Sequence, residues 1–443
     1  MKFIDLFAGL GGFYLALEQL EHECVFACEI DTQLNTLYTE NFGIQPALDI
    51  RKIDIVDIPD HDILCAGFPC QPFSQATPTD KQTGLKCLKN GDLFTRIVEI
   101  LRAKRPKYFI LENVPFLLNH NEGKTWEFIK NELESIDNYG VKEYIFSTEE
   151  FGVPQNRKRL FIVGNLSGRV SLPSPSSVVV SDIQDFLDKD PPEARLLTER
   201  HVRCLEVWQE FAKRFPFPLP SPVWSREFGA TYPYDKETSP YDETTPHTLG
   251  VTKLQKFLGN HGEPLDKLSD AQIWESLPAY AKREQDCFPD WKVRYIRNNR
   301  SFYEDNKDAL DEWKKKIKEF PATWQRFEWN CGNTTRNLWD QIIQFRNSGV
   351  RISATKRFPT LVVNPVQVPI IGWEKRYLTP RECARLQSIG DNVVLPQIET
   401  RALKALGNAV NVKVVKYIAE VLTSNSPRCD IEEKQINLPI DIS

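Results

Sequence analysis

The sequence predicts an α/β fold: an open, mostly parallel sheet with helices on both faces, joined to a smaller irregular region. Three observations predict it. Short apolar runs alternate with helical patterns over roughly the first 165 residues. The first run starts almost at the first residue and passes straight into a glycine-rich turn. The alternation stops near Leu166, and regular patterning returns only near Arg376.

Phe3-Ile4-Asp5-Leu6-Phe7 reads as the first strand, Ala8-Gly9-Leu10-Gly11-Gly12 as the turn, and Phe13 to Leu20 as the helix after it. Glycines there let the backbone approach a ligand closely, so strand, glycine turn and helix open a nucleotide-binding unit. Cys24 to Cys28 is the second strand and ends in Glu29-Ile30-Asp31. A carboxylate at that point is placed to accept hydrogen bonds from ribose hydroxyls. Pro46-Ala47-Leu48 reads as the end of a third strand, followed by Asp49. Spacing alone leaves Asp49 open between an adenine ligand and a solvated loop carboxylate.

Asp62 to Ala66 is the next strand, stopped by Gly67-Phe68-Pro69, and it delivers Cys70 just past its carboxyl end. That edge is where ligands and chemistry collect in open α/β sheets. Pro69 and Pro72 stiffen the turn around the thiol. A packed loop cysteine and a nucleophile both fit this stretch taken alone. Gln75 to Gly91 is polar and aperiodic and reads as a long loop, either a lid or a surface insertion. A helix follows from Gly91, with Leu93, Ile97 and Leu101 on one face and Arg105-Pro106 at its end. Tyr108 to Leu111 is a further buried strand, ending in Glu112-Asn113-Val114-Pro115. A carboxylate after an apolar strand is costly to bury unpaired, which favours a raised pKa and a general-acid role for Glu112 over an exposed loop residue. Gln155 to Arg159 leads into the strand Leu160 to Gly164. Arg157 and Arg159 fall on one face if the strand pattern starts there, facing an oxyanion, a base carbonyl or Glu112.

Composition bounds the function. The 443 residues are 41% hydrophobic and 26% charged, an ordinary globular balance with room for two or three domains. The ten cysteines form no CxxC pair and no zinc spacing with histidine, which argues against a structural metal. No leader precedes the first strand and no apolar run reaches membrane-spanning length, so a cytoplasmic chain with reduced thiols and no membrane partner is expected. A net charge of −5 neither advertises nor excludes a nucleic-acid partner, because binding depends on a local basic face.

Pro- and Ser-rich stretches at Val170 to Ser181 and Phe215 to Pro222 mark connectors. The chain divides into residues 1–182, an irregular segment 183–365, and a return 366–443. In the middle segment aromatic and basic residues interleave, from Trp291-Lys292 to Lys356-Arg357. That pattern suits a nucleic-acid surface and an ordinary core with snorkelling stems equally. One helix is expected within Tyr303 to Phe320, with Leu310, Trp313, Ile317 and Phe320 inward and Lys314-Lys315-Lys316 as a solvated face. Near the end, Thr379, Pro380 and Glu382 form a helix-start signature. Leu406-Gly407-Asn408-Ala409-Val410 then precedes a last apolar helix, Val414 to Leu422, placed to fold back and support the first strand.

The ordered set FIDLFAGLGG, GFPCQPFS, ENV, QNRKR, LTPRECARLQ and GNAV resembles the C5-cytosine DNA methyltransferase family, over residues 1 to about 165 and about 373 to 423. The resemblance implies a Rossmann-like sheet that takes S-adenosylmethionine as methyl donor, with the middle segment as target-recognition domain. It implies that Phe7, Gly9, Gly11 and Gly12 form the cofactor loop. Glu29 would bind the ribose, Ile30 would lie beside the adenine, Asp49 would bind its amino group, and Asn408 belongs to the closing motif. It makes Cys70 the nucleophile, puts Glu112 at N3 of the target cytosine, and has Arg157 and Arg159 help hold the base and order the site. Gln71 and Ser74 would lie nearby. Two positions depart from the family's pattern: Asn90-Gly91-Asp92 replaces the usual basic-glycine pair, and Ile30 is aliphatic where many relatives carry an aromatic residue. The implied protein is a monomeric bacterial DNA (cytosine-5-)-methyltransferase acting on duplex DNA by base flipping, in a restriction-modification system with a cognate endonuclease. The rival readings are a tRNA cytosine-5 methyltransferase on the same scaffold and a catalytically inactive DNA-binding homologue.

Overall fold

The computed structural model describes residues 1–69, 91–136, 138–215, 217–237, 244–333 and 335–424. Cys70, Gln71, Ser74 and the loop expected from Gln75 up to residue 90 lie outside the described residues.

The first sheet is built from β1 (Lys2–Leu6), β2 (Glu23–Cys28), β3 (Ile63–Ala66), β4 (Tyr108–Asn113), β5 (Gly140–Ser147) and, after the two-residue β6 (Gln155–Asn156), β7 (Lys158–Asn165). Its order is β2-β1-β3-β4-β7-β5. The pairings β2·β1, β1·β3 and β3·β4 are parallel, while β7 runs antiparallel to both neighbours. Alternation along each strand sends side chains to two cores. Ile63 and Cys65 join Leu17, Val415 and Ile418 on one face. Leu64 and Ala66 join Ile97, Leu101, Ile129 and Leu133 on the other. A central strand apolar on both faces must be covered on both, which is why ILCA reads as an unbroken run. The first face is covered by the helices Gly12–Glu18 and Val412–Thr423, the second by Gly91–Lys104 and Lys124–Glu134. The C-terminal helix does fold back on the N-terminal one, and Lys416 Nζ reaches Gln19 Oε1 at 3.1 Å.

A second six-stranded sheet is formed by β8 (Val223–Trp224), β9 (Arg326–Asn330), β10 (Ile342–Arg346), β11 (Gly349–Ser353), β13 (Ile370–Ile371) and β14 (Arg376–Tyr377), in the order β14-β13-β10-β11-β9-β8. The short β12 (Phe358–Pro359) pairs instead with β6 and links the two parts of the chain. The inner face of the second sheet, with Phe327, Val350, Ile352 and Phe345, packs on Trp208, Phe211 and Trp313. Trp208 stacks on Phe327 at 4.6 Å.

One expected element differs. The third strand is reduced to a single parallel bridge, Cys28 with Ala47, because Asp49 turns the chain at once by capping the 3-10 turn Ile50–Lys52. The helix expected within Tyr303 to Phe320 is present as Lys307–Ile317, separated at Asn306 from the preceding helix Asp290–Asp305. Asn306 Nδ2 donates to Phe302 O, a local side-chain bond of the kind that competes with helix continuation. Leu310, Trp313 and Ile317 are buried as expected. Among the described residues no helix is long and apolar enough to cross a membrane.

Candidate active site

The carboxyl ends of β1, β2, β3 and β4 converge on one edge. After β1 the backbone turns left-handed at Phe7 (φ 59°), Gly9 (φ 55°) and Gly11 (φ 75°). For Phe7, which is not a glycine, this is a strained conformation of order 1–3 kcal/mol, held only because its surroundings impose it. Glycine at position 11 is also required for space, since a Cβ there would come within 2.3 Å of the Phe42 ring. At Gly9 the reverse holds: a Cβ would meet only Phe7 O, at 3.9 Å, so the space before this loop is open.

Glu29 borders that space. Its side chain accepts the Gly9 N–H at 2.8 Å on Oε2 and the Asp31 N–H at 2.7 Å on Oε1. The residue is 7% exposed, and burial pushes its carboxyl above the ordinary range, opposed by those two N–H groups. Each oxygen keeps lone-pair capacity, so the carboxylate can still accept from a diol. Ile30, 61% exposed, presents an apolar side chain beside this buried acid. Asp49 accepts a fork from Arg51, at 2.9 Å from Nε and 2.8 Å from Nη2, which holds its carboxyl below the usual range. A ligand amino group would have to share that carboxylate with Arg51. Asn408 is exposed at the end of the helix Glu399–Asn408. Two residues on, Val410 O would lie 2.9 Å from a Cβ on Gly12, so the last motif is packed on the first. The open loop, the buried acid and the exposed Ile30 fit an adenosyl group.

Glu112 is the penultimate residue of β4 and 7% exposed. Burial raises its pKa; Arg159 and then Arg157 oppose that rise. Arg159 Nε stands 3.0 Å from Glu112 Oε1. Glu112 Oε2 lies 3.8 Å from where a Cβ on Gly67 would stand, so the acid faces the segment that leads to Cys70. Arg157 is not part of a strand. It sits between β6 and β7, 1% exposed, and donates from Nη1 to Leu361 O (3.0 Å) and from Nη2 to Gly407 O (3.0 Å) and Ala409 O (2.7 Å). The neighbouring arginines thus divide their work: Arg159 faces the acid, and Arg157 ties the closing motif to the sheet.

Sequence reasoning missed two residues here. Asn113, 1% exposed, donates from Nδ2 to Phe68 O at 3.3 Å and so holds the turn just before Cys70. Asp5, fully buried, accepts from the Tyr38 hydroxyl at 3.2 Å on Oδ2, while its Oδ1 has no partner among the described residues. The signal for Asp5 was available: a charged residue in the middle of an apolar strand.

The comparisons with known proteins agree with this geometry. The family model for C-5 cytosine-specific DNA methylase matches residues 1–212 and 251–424. The chain is similar to the Type II methyltransferase M.BanI of Aneurinibacillus aneurinilyticus, 30% identical over 460 residues, covering 96% of each. It is equally similar to the Type II methyltransferase M.HgiCI of Herpetosiphon aurantiacus, 30% identical over 447 residues, covering 94% of this chain and 96% of that one. Among solved structures, the Entamoeba histolytica methyltransferase EhMeth shares the fold, with a TM-score of 0.50 at 14% identity over 95% of this chain and 97% of that one. The chain belongs to the C-5 cytosine-specific DNA methylase family: it is a DNA (cytosine-5-)-methyltransferase that uses S-adenosylmethionine.

Proposed function

We propose that the chain methylates a cytosine flipped out of duplex DNA through a covalent bond between Cys70 and C6, as the modification half of a bacterial restriction-modification system. Residues 183–365 would serve as the target-recognition domain. The observation that carries this reading is the buried Glu112, paired with Arg159 and facing the segment that ends one residue before Cys70.

Cytosine C5 is too poor a nucleophile to take a methyl group unaided. S-adenosylmethionine supplies the electrophilic methyl. Addition of the Cys70 thiolate to C6 makes C5 enamine-like, and a proton or hydrogen bond from Glu112 at N3 stabilises the electron density that the addition places on the ring. Burial raises the pKa of this carboxyl, against Arg159 and Arg157, which shifts it toward the form that can donate at N3. Arg159 keeps it oriented. Loss of the C5 proton and departure of the thiolate restore aromaticity. Glu29, Ile30 and the loop at Gly9 would hold the adenosyl end, with Asp49 and Asn408 at its edges. The base is extruded because these faces are inaccessible in a duplex, at a cost of roughly a few kcal/mol.

The test is transfer of radiolabelled methyl to duplex DNA of diverse sequence, with Cys70→Ala beside wild type. Label in 5-methylcytosine from wild type and none from the variant is the expected result. Undiminished label from the variant would remove the covalent step. No label in DNA from wild type, with label in tRNA, would move the substrate.

A further inference from the structure

The outer face of the second sheet carries three arginines and one carboxylate in two rows. Across β9, β11 and β10 the register aligns Glu328, Arg351 and Gln344 directly. One step toward the β10–β11 turn, Arg346 lies opposite Gly349, and a Cβ on Gly349 would stand 2.8 Å from Arg326 Cβ. Arg326 and Arg346 therefore flank a bare backbone, with Arg351 beyond it. Arg351 Nε donates to Glu328 Oε2 at 2.7 Å, and Arg346 Nη1 stands 3.6 Å from the same oxygen. The side chains of Arg351 and Arg346 are 32% and 29% exposed.

The same region contains a purely structural arginine for comparison. Arg300 meets the fully buried Glu227 at 3.0 Å, that acid also accepts from the hydroxyls of Tyr232 and Tyr280, and Arg300 packs over the Tyr232 ring. There the acid is fully buried and its hydrogen-bond partners are all internal side chains. On the outer face two cations, Arg351 and Arg346, approach one carboxylate, Glu328, and Arg326 beside them donates to Asn347 O. Burial and then Arg351 lower the affinity of Arg346 for its proton, and burial does the same to Arg326. An excess of half-buried cations on a rigid surface is favourable once an external acceptor arrives.

We propose that Arg351, held in place by Glu328, reads a guanine in the target sequence through its terminal nitrogens. The inference rests on the DNA substrate of the preceding section. A guanine edge offers two acceptors, O6 and N7, matched by an arginine fork. The alternative acceptor, a backbone phosphate, would be repelled by Glu328 and has no need of a fixed fork. A carboxylate that pins the Nε side and leaves the far edge exposed suits base reading instead. Arg326 and Arg346 raise the local positive potential. Glu328 is a positioning residue.

The experiment maps methylation by full-length wild type, Arg351→Gln, Arg351→Lys and Glu328→Gln on a duplex pool with randomised sequence, with S-adenosylmethionine affinity measured as a control for folding. Wild type defines the preferred site. The expected result is that both Gln variants lose about 10- to 100-fold discrimination at one guanine position and keep the others, with cofactor affinity unchanged. Arg351→Lys should weaken the same position, since an ammonium cannot make the paired contact. Loss of rate spread evenly over all sequences would make Arg351 a phosphate contact and overturn the proposal, as would an unchanged preference in all three variants. If wild type methylates no duplex DNA, the underlying reading fails instead, and that arm reports it separately.

Discussion

The two sheets treat charge in opposite ways. At the edge of the first sheet two charged groups are tied mainly to backbone, Glu29 to two N–H groups and Arg157 to three carbonyls, while Glu112 pairs with Arg159. In the second region charged side chains meet other side chains, as Arg300 does Glu227 and Arg351 does Glu328. Backbone partners fix a geometry that changes little when neighbouring side chains change, which suits a site that must hold one cofactor and one reaction. Side-chain partners can be exchanged without moving the chain, which suits a surface that must differ between target sequences. The difference teaches that one chain can fix a site through backbone hydrogen bonds and leave a surface held by side-chain ones, as the proposed division between catalysis and target recognition would use.

The strongest way to break that comparison is at Arg157. Arg157→Met keeps volume and removes bonds to Leu361, Gly407 and Ala409, leaving buried carbonyls unpaired. The expected loss is about 4–5 kcal/mol in denaturant unfolding, with weakened S-adenosylmethionine binding because the closing motif packs on the glycine loop. Arg159→Met, one turn of chain away, should lower the rate of transfer with a much smaller loss of stability. Equal stability losses in the two variants would contradict the division of roles.

That division was only half legible in the sequence. Glu29, Glu112 and the glycine loop were readable because strand ends in an α/β sheet fall on one edge and apolar runs mark the strands. Arg159 was readable from its alternation with Lys158. Arg157 was not, since its partners lie 204 to 252 residues away and are carbonyls, which no side-chain pattern announces. Asp49 stayed open between an adenine ligand and a solvated loop carboxylate, because nothing in its spacing reveals a fork from Arg51 two residues on. The helix expected within Tyr303 to Phe320 was readable from its apolar spacing, whereas the break at Asn306 that precedes it was not. Within the second region the basic-aromatic mixture told core from surface nowhere: Trp313 is fully buried and Trp329 nearly so, whereas the Arg351 side chain is 32% exposed.

A smaller effect sharpens the picture of the first sheet. Asp5 has its pKa pushed up to about 7, chiefly by burial, with Tyr38 opposing and Glu29 adding to the rise; Cys24, Cys28 and Cys65 are further titratable neighbours. The unfolded value is near 3.8, so the folded protein holds this proton more tightly. The associated stability is fully present below about pH 4 and is lost as pH rises through about 7. Asp5→Asn cannot ionise and still offers Tyr38 an acceptor. Its advantage over wild type should be absent near pH 4, grow to roughly 2–4 kcal/mol by pH 8, and then level off. An advantage that is constant with pH would show that Asp5 is already ionised or already neutral throughout.

The smallest expected effect tests the claim that unbalanced charge, not basic residues as such, marks the DNA surface. Lys314, Lys315 and Lys316 are the densest basic run in the middle segment, yet each meets a carboxylate: Asp311 at 2.6 Å, Glu312 at 2.7 Å and, shared with Arg214, Glu210 at 2.7 Å. A phosphate contact here would have to displace an existing ion pair, and the counterions released on binding would gain little. Lys315→Ala and Lys316→Ala together should change stability by less than about 1 kcal/mol and leave both DNA affinity and its salt dependence as in wild type. Arg351→Gln, which removes a single cation, should alter sequence preference where removing two lysines alters nothing. A fall in the salt slope of the double lysine variant by about two would reverse the argument, and would place the duplex against the helix Lys307–Ile317 instead of the outer face of the second sheet.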